Sequence, residues 1–421
     1  MSYESTSMPA TRVTACRSCG ALDLVPFLDL GSTPVANALL RSPDEVAPAF
    51  PLEVGFCSAC ALVQLLHVLA AEDVFGADYP YFSSYSESLD VHSRRHVADL
   101  VRERQLGASS FVVEVASNDG YLLRHLVTAG VRVLGVEPTP GPAAAAVAAG
   151  VPTVQEFLGP DTAAALVAEH GPADVVLANN VMAHVPDLRG FVSGLATVLA
   201  QDGILQVENP GVGALLAHTE FDTVYHEHFC YFSTVAVERL MALEGLHLND
   251  VEGFPSLQGG TLRWTCSRTP GQTIRVKQQL AAERAQGLDR DEPFLAFGER
   301  VRALQEELRS LLHRVTGDGG TLAAYGAAAK GATLLNTTGL DSSLIDFVAD
   351  LNPHKQGRWI PGARIPIVDP SALLERQPDH VLVLAWNYVD EVRLQQAEYE
   401  RRGGRFIVPI PSPRVLVPGS S

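Results

Sequence analysis

Residues 114–120 read Glu-Val-Ala-Ser-Asn-Asp-Gly, directly after the apolar run Phe111-Val112-Val113. A second apolar run, Val131 to Val136, follows and ends in Glu137. This pattern predicts a strand, a ligand-binding turn, a helix and a second strand whose terminal acid accepts both hydroxyls of a ribose. A dinucleotide turn needs glycines where a pyrophosphate approaches the backbone. Here Ala116 and Asn118 occupy two of those places, and only Gly120 remains. A ligand with a ribose but no phosphate fits better, and S-adenosylmethionine is the obvious one. The bland alternative is an ordinary strand–turn–helix.

Working outward, strands and helices alternate from 111 to about 210. Strands are expected at 111–115, 131–136, 174–178 and 203–207, and helices at 120–129, 141–149, 161–169 and 188–200. Such alternation implies βαβ units and a parallel sheet. Ligands of parallel sheets sit at the carboxyl ends of the strands. The cofactor crevice is therefore expected to be built from Glu114, Ala116, Ser117, Asn118, Gly120, Glu137, Asn179 and Asn180, with His184 and residues 208–210 nearby. A long polar helix or helix pair, 278–316, leads to a second α/β unit with strands at 321–325, 344–349 and 381–385. There Gly326-Ala-Ala-Ala-Lys330-Gly331 is a glycine-bounded turn opening a helix. Lys330 in that turn could grip a phosphate, since free N–H groups at a helix start favour an anion. Equally, its glycines could serve close packing.

Four of the six cysteines form two pairs, Cys16-x-x-Cys19 and Cys57-x-x-Cys60. Two such knuckles close a tetrahedral thiolate site around zinc, a coordinatively complete arrangement that holds a domain together and activates no water. Coincidental pairs or a redox Cys-x-x-Cys are the alternatives. Cys230 and Cys266 are expected in the core. The fold class is thus α/β. A small zinc-binding domain (12–75) precedes a central Rossmann-like domain (76–280) and a second Rossmann-like α/β domain (281–415).

The formal net charge of −17 argues against binding DNA, RNA or an anionic membrane, where clustered Lys and Arg are needed. A small substrate is favoured. The N-terminus is polar, and no apolar run approaches the ~20 residues of a membrane helix. A cytoplasmic, monomeric protein is expected.

The densest chemical cluster is Tyr225-His226-Glu227-His228-Phe229. In an extended run Tyr225, Glu227 and Phe229 would share one side, whereas a turn would bring Tyr225 and His228 together. Acid–base catalysis suits histidine, whose unperturbed pKa lies near physiological pH. A structural cluster and a metal site remain open, although zincin histidines are four apart on a helix and these are two apart. His184 borders the crevice. Tyr79, Tyr81 and Tyr85 could wall a sugar or a base, and Gly259 and Arg263 belong to a flexible turn feeding a strand.

The ordered set of cysteine knuckles, Ser-Asn-Asp-Gly turn, Tyr-His-Glu-His-Phe cluster, Gly-Gly-x-Leu-Arg turn and Gly-Ala-Ala-x-Lys-Gly unit resembles the zinc-containing C-methyltransferases of deoxysugar biosynthesis, over about residues 12–412. The resemblance implies S-adenosylmethionine as cofactor, structural Zn²⁺ on Cys16, Cys19, Cys57 and Cys60, and a dTDP-4-keto-deoxysugar as substrate. Methylation would fall on the carbon next to the ketone, C-3 by preference or C-5. It implies catalytic roles for His228 (the base), Tyr225, Glu227, His184 and Tyr79. Glu227 would orient His228 or a substrate hydroxyl or amine. Tyr81, Lys330, Gly259, Arg263 and Asn387 would contact the nucleotide-sugar. The rivals are a sugar O- or N-methyltransferase, a nicotinamide-dependent oxidoreductase and a zinc-stabilised binding protein without turnover.

Overall fold

The computed structural model describes residues 10–69, 83–255, 257, 259–317 and 319–417. The expectations for Tyr79 and Tyr81 lie outside the described residues.

Phe111–Val115 is buried at every position, as a strand covered by helices on both faces must be. It lies in a seven-stranded sheet. Arg132–Val136 pairs parallel on one side, and Thr153–Val154 pairs beyond that. The chain then returns to the other side of Phe111–Val115 with Ala173–Asn179 and Leu199–Pro210, both parallel. The sheet ends with Thr261–Ser267, antiparallel to its neighbours, and His247–Phe254. The strand order therefore reverses between Phe111–Val115 and Ala173–Asn179, where such sheets open a crevice at their carboxyl ends. Helices Pro140–Ala148, Pro160–His170 and Leu188–Val198 match the expected alternation closely. No helix among the described residues is long and apolar enough to cross a membrane.

The zinc unit is an antiparallel sheet of four strands. Leu24–Pro34, Ala49–Cys57 and Val63–Leu65 are local, but the fourth, Cys230–Tyr231, arrives from the end of the Tyr225–Phe229 cluster and pairs with Val63–Leu65. Each cysteine knuckle is followed by a residue in the left-handed region, Gly20 (φ 77°) and Ala61 (φ 63°). That turn folds both thiols of a pair to one side.

The 25-residue helix Glu292–Thr316 lies against this sheet. Phe294 stacks on Phe56 with centroids 4.6 Å apart and meets Phe27 at 5.3 Å. Gly298 allows the approach, because a Cβ there would stand 2.2 Å from the Phe27 carbonyl oxygen. Gly298→Ala tests which effect wins. Helix propensity favours alanine by about 1 kcal/mol, whereas overpacking costs about 1–3 kcal/mol and the obstacle here is backbone. A net loss of stability is expected in denaturant unfolding; an unchanged or raised midpoint would contradict this packing.

The C-terminal unit is a second open sheet, ordered Ile367–Val368, Val348–Ala349, Leu322–Tyr325, His380–Val383, Arg405–Val408, Arg414–Val415. All pairs are parallel except the last. The expected strand 344–349 shrinks to its last two residues. Here too the order reverses, between Leu322–Tyr325 and His380–Val383, which puts residues 326–331 and 384–388 at the switch point. A bridge between Leu40 and Trp359 ties the zinc unit to this domain.

Candidate active site

The carboxyl ends of both parallel sheets open into one cavity of about 730 Å³. All three units contribute to its lining. Asn37 comes from the zinc unit, and Ala116, Asn118, Glu137, Asn179, Asn180, His184, Tyr225, Glu227, His228 and Gly259 come from the central domain. Lys330, Lys355 and Asn387 come from the C-terminal domain.

At the cofactor end, Ala116 (φ 54°), Asn118 (φ 50°) and Gly120 (φ 76°) are all left-handed. The turn thus keeps the backbone that glycines would supply, with side chains at two of the three places. Gly120 faces packing and not the cavity, since a Cβ there would meet Val151 at 2.9 Å. Ser117 is fully buried against Gly135. Glu137 accepts from the backbone N–H groups of Asn118 and Thr139, each at 2.9 Å, and from the Thr139 hydroxyl. Fixed this way at the strand end, it presents a carboxylate where ribose hydroxyls would sit. The amide oxygens of Asn179 and Asn180 have no hydrogen-bond partner among the described residues, nor does either carboxyl oxygen of Glu114 behind the turn. Burial first, then the charges of Glu137, Asp119 and Glu208, pushes Glu114 well above the usual carboxylate range. Glu114 is not among the cavity-lining residues, whereas Asn179 and Asn180 are, and their two orphaned amide oxygens fit a ligand carrying an ammonium and a sulfonium.

At the other end, residues 225–228 form a turn in which the His228 N–H donates to the Tyr225 carbonyl (2.9 Å). Of the two shapes open in the sequence, this is the one that joins Tyr225 and His228. His228 Nδ1 lies 2.9 Å from the Thr223 carbonyl. It must donate there, so Nε2 carries a lone pair and accepts from the Tyr225 hydroxyl at 2.9 Å. His184 stands edge-on to His228 with centroids 4.7 Å apart. It donates from Nδ1 to the Glu227 carbonyl at 2.8 Å. Burial pulls the His228 pKa down to about 3, with the neighbouring His184 adding to it, and pulls His184 down to about 4. Both rings are neutral at working pH.

Thr223, and not Glu227, orients His228. The Glu227 carboxylate instead takes 2.8 Å hydrogen bonds at both oxygens from the Asn37 amide. Burial raises its pKa to about 7. His226 turns its Nε2 to the carbonyls of Phe50 and Pro51, both at 3.3 Å, so the His-Glu-His run gathers no ligand set.

Lys330 reaches Asn387 (3.0 Å), lies over the Trp386 ring (4.4 Å) and faces buried Asp222 at 4.0 Å. Arg263 corrects the expectation of a substrate contact. It is not among the cavity-lining residues. Its strand aims the guanidinium into an ionic cluster, with Nε 2.9 Å from buried Glu208 and other nitrogens 3.1 Å from His92 and 3.2 Å from exposed Glu252. Asn37, Thr139 and Lys355 went unnoticed in the sequence. Only Thr139, two residues past Glu137, lay beside a recognised motif.

The sulfurs of Cys16, Cys19, Cys57 and Cys60 all lie within 4.8 Å of one another, the one such metal-binding group among the described residues. Cys16–Cys60 is 3.5 Å and Cys19–Cys57 is 3.6 Å. Zinc–sulfur bonds of about 2.3 Å in a tetrahedron put sulfurs roughly 3.8 Å apart, so the cage fits. Without a cation the four thiols cannot all ionise. Hydrogen bonds from Cys16 and Cys60 hold Cys57 low, while the contacts of Cys60 with Cys16 and Cys57 push Cys60 up. Cys230 and Cys266 are buried in the core.

Residues 256–411 match a C-methyltransferase C-terminal domain, residues 16–75 a zinc binding domain, and residues 89–250 a methyltransferase domain. The chain is 36% identical over 408 residues to the C-methyltransferase NovU of Streptomyces niveus, covering 96% of this chain and 97% of that protein. Among solved structures, it overlaps magnesium protoporphyrin IX methyltransferase of Synechocystis PCC 6803 with bound SAM. There the TM-score is 0.34 and the identity 15%, over 43% of this chain and 79% of that one. An S-adenosylmethionine-dependent methyltransferase of Clostridium acetobutylicum overlaps with TM-score 0.34 and 9% identity, over 42% and 91%.

Proposed function

This chain belongs to the zinc-containing, S-adenosylmethionine-dependent C-methyltransferases, and we propose that it methylates a dTDP-4-keto-6-deoxysugar at the carbon next to the ketone, C-3 by preference. One observation carries the reading: the Tyr225–His228 pair lines the same cavity as the Glu137 crevice. NovU, the relative, is a C-methyltransferase. Among the described lining residues, Lys330 and Lys355 are the only lysine or arginine side chains, and both come from the C-terminal domain, which places the positive charge suited to a diphosphate at that end.

A carbon must become a nucleophile before it can be methylated. The ketone acidifies the adjacent C–H. The Tyr225 oxygen takes that proton while its own passes to His228 Nε2, and the electron pair moves onto the ketone oxygen as an enolate. Charging His228 from a pKa of about 3, against an ordinary 6.5, costs roughly 5 kcal/mol. An enolate oxygen about 4 Å away in such a site returns about 4 kcal/mol. The pair therefore suits a reaction in which negative charge appears beside it. Bound S-adenosylmethionine supplies a sulfonium-activated methyl group. Glu137 would hold its ribose and Asn179 and Asn180 its polar end, and such placement would provide the remaining acceleration. Glu227 accepts from a substrate hydroxyl or amine, and His184 offers its Nε2 to the sugar.

The test uses a panel of dTDP-4-keto sugars deuterated beside the ketone, with products read by mass spectrometry and NMR. Loss of deuterium with a new carbon–carbon bond is expected, and the methyl's position separates C-3 from C-5. Retained deuterium with methyl on oxygen or nitrogen overturns the reading.

A pH prediction follows from Glu227. Its carboxylate is ionised above about 7 and lost as pH falls through that value; His228 stays neutral far below it. kcat/KM should fall roughly tenfold per unit below pH 7, and Glu227→Gln should remove that limb. A wild-type profile flat to pH 5 refutes the assignment.

A further inference from the structure

We propose that Asn37, supplied by the zinc unit, is a positioning residue of the transferase site, holding the Glu227 carboxylate ionised and aimed into the cavity. Neither residue has a local reason to meet the other; they are 190 positions apart. Yet one amide nitrogen stands 2.8 Å from both carboxylate oxygens, and Asn37 itself lines the cavity.

The loop carrying Asn37 is pinned on both sides. Pro34 ends a zinc-sheet strand, and Leu40 exchanges backbone hydrogen bonds with Trp359 of the C-terminal domain at 2.9 and 3.0 Å. Within it, Asn37's own carbonyl accepts from Leu39 at 2.9 Å. The amide is therefore presented by a fixed backbone. Beneath it, the Glu227 backbone is held by His184, and the segment that follows by the 2.9 Å bond from the Leu65 N–H to the Phe229 carbonyl.

Glu227 is 1% exposed, and burying a carboxylate without donors would neutralise it. The groups facing it are few. Asn37 contributes its side-chain amide and backbone N–H, and Lys355 adds a more distant positive charge. The Lys355 ammonium is itself tied to the Ala327 carbonyl at 2.8 Å. His184 and His228 on its own side are neutral and add no charge. The Asn37 amide is thus the principal group favouring the ionised form. The functional half of the inference rests on Glu227 contacting the substrate, but the electrostatic half does not.

The experiment uses the full zinc-loaded chain. The Glu227 carboxyl band is assigned by infrared difference against Glu227→Gln and titrated in wild type, Asn37→Ala, Asn37→Ser and Asn37→Asp. Unchanged zinc content and melting temperature control for folding. A hydrogen bond to a charged group is strong enough to move the protonation midpoint up by about one pH unit in Asn37→Ala. Asn37→Ser should fall between, and Asn37→Asp should exceed Asn37→Ala because it sets two carboxylates together. If Asn37→Ala does not fold, the serine and aspartate variants still decide the order. A midpoint common to all variants overturns the proposal. Turnover adds a second readout: Asn37→Ala should lose activity near pH 7 and recover it as pH rises by a unit or more. A loss equal at all pH values means a packing role only. Shifted midpoints without any effect on methyl transfer would leave the electrostatic role standing and remove Glu227 from substrate binding.

Discussion

His228→Asn is expected to lower methyl transfer by about 10²–10⁴-fold while S-adenosylmethionine binds within a few-fold of wild type. The separation follows from geometry. His228 is fixed by Thr223 and Tyr225, whereas the cofactor end is fixed by Glu137, Asn118 and Thr139 in the turns after two strands of the central sheet. Asparagine cannot accept the proton that Tyr225 hands over. Tyr225→Phe should cost a comparable amount, and the double variant little more than the worse single one, because groups acting as a unit are not additive. Single-turnover rates with calorimetry of cofactor binding decide it. Near-normal turnover in His228→Asn would remove it as the base, and a parallel collapse of cofactor affinity would mean the site had simply come apart.

The second large effect is expected from Cys57→Ser. Structural zinc contributes about 10–16 kcal/mol in small domains, as much as or more than the ~5–15 kcal/mol that stabilises a whole protein. The zinc unit cannot stay folded without it. The damage should spread, since this sheet carries Cys230–Tyr231, holds His226 through Phe50 and Pro51, and buries Phe294. Loss of zinc by elemental analysis should accompany a large fall in melting temperature and the loss of turnover. Cys230→Ser, which removes no ligand, is the control. An unaffected melting temperature in Cys57→Ser would rule out a structural metal.

Much of this was legible in the sequence, for physical reasons. Strands buried on both faces, such as 111–115 and 132–136, need continuous apolar runs, and the helices between them need their own period. The acid at Glu137 marks a strand end, and paired cysteines announce themselves by spacing. What stayed hidden was long-range. Cys230–Tyr231 is two residues long and bears no periodic mark of belonging to a sheet built from residues 24–65. Asn37 looks like any loop asparagine until the fold sets it against Glu227. Arg263 misled because it follows a glycine turn that does line the cavity; strand alternation then sends its side chain to Glu208. Tyr225 and His228 were recognisable as reactive, but the tautomer that makes His228 an acceptor depends on Thr223, which no spacing rule picks out.

The late arrival of Cys230–Tyr231 in the zinc sheet has a consequence for biosynthesis. The metal knuckles leave the ribosome early, yet Val63–Leu65 keeps an unpaired edge until residue 231 is made, roughly ten to thirty seconds later. An open edge is a template for pairing with other chains. A fragment ending near residue 75 would bind metal but carry that edge permanently, so the zinc unit is not a detachable module. During synthesis the nascent chain depends on metal supply and on chaperone shielding at the same moment, and zinc-starved expression should yield aggregate in preference to soluble apoprotein.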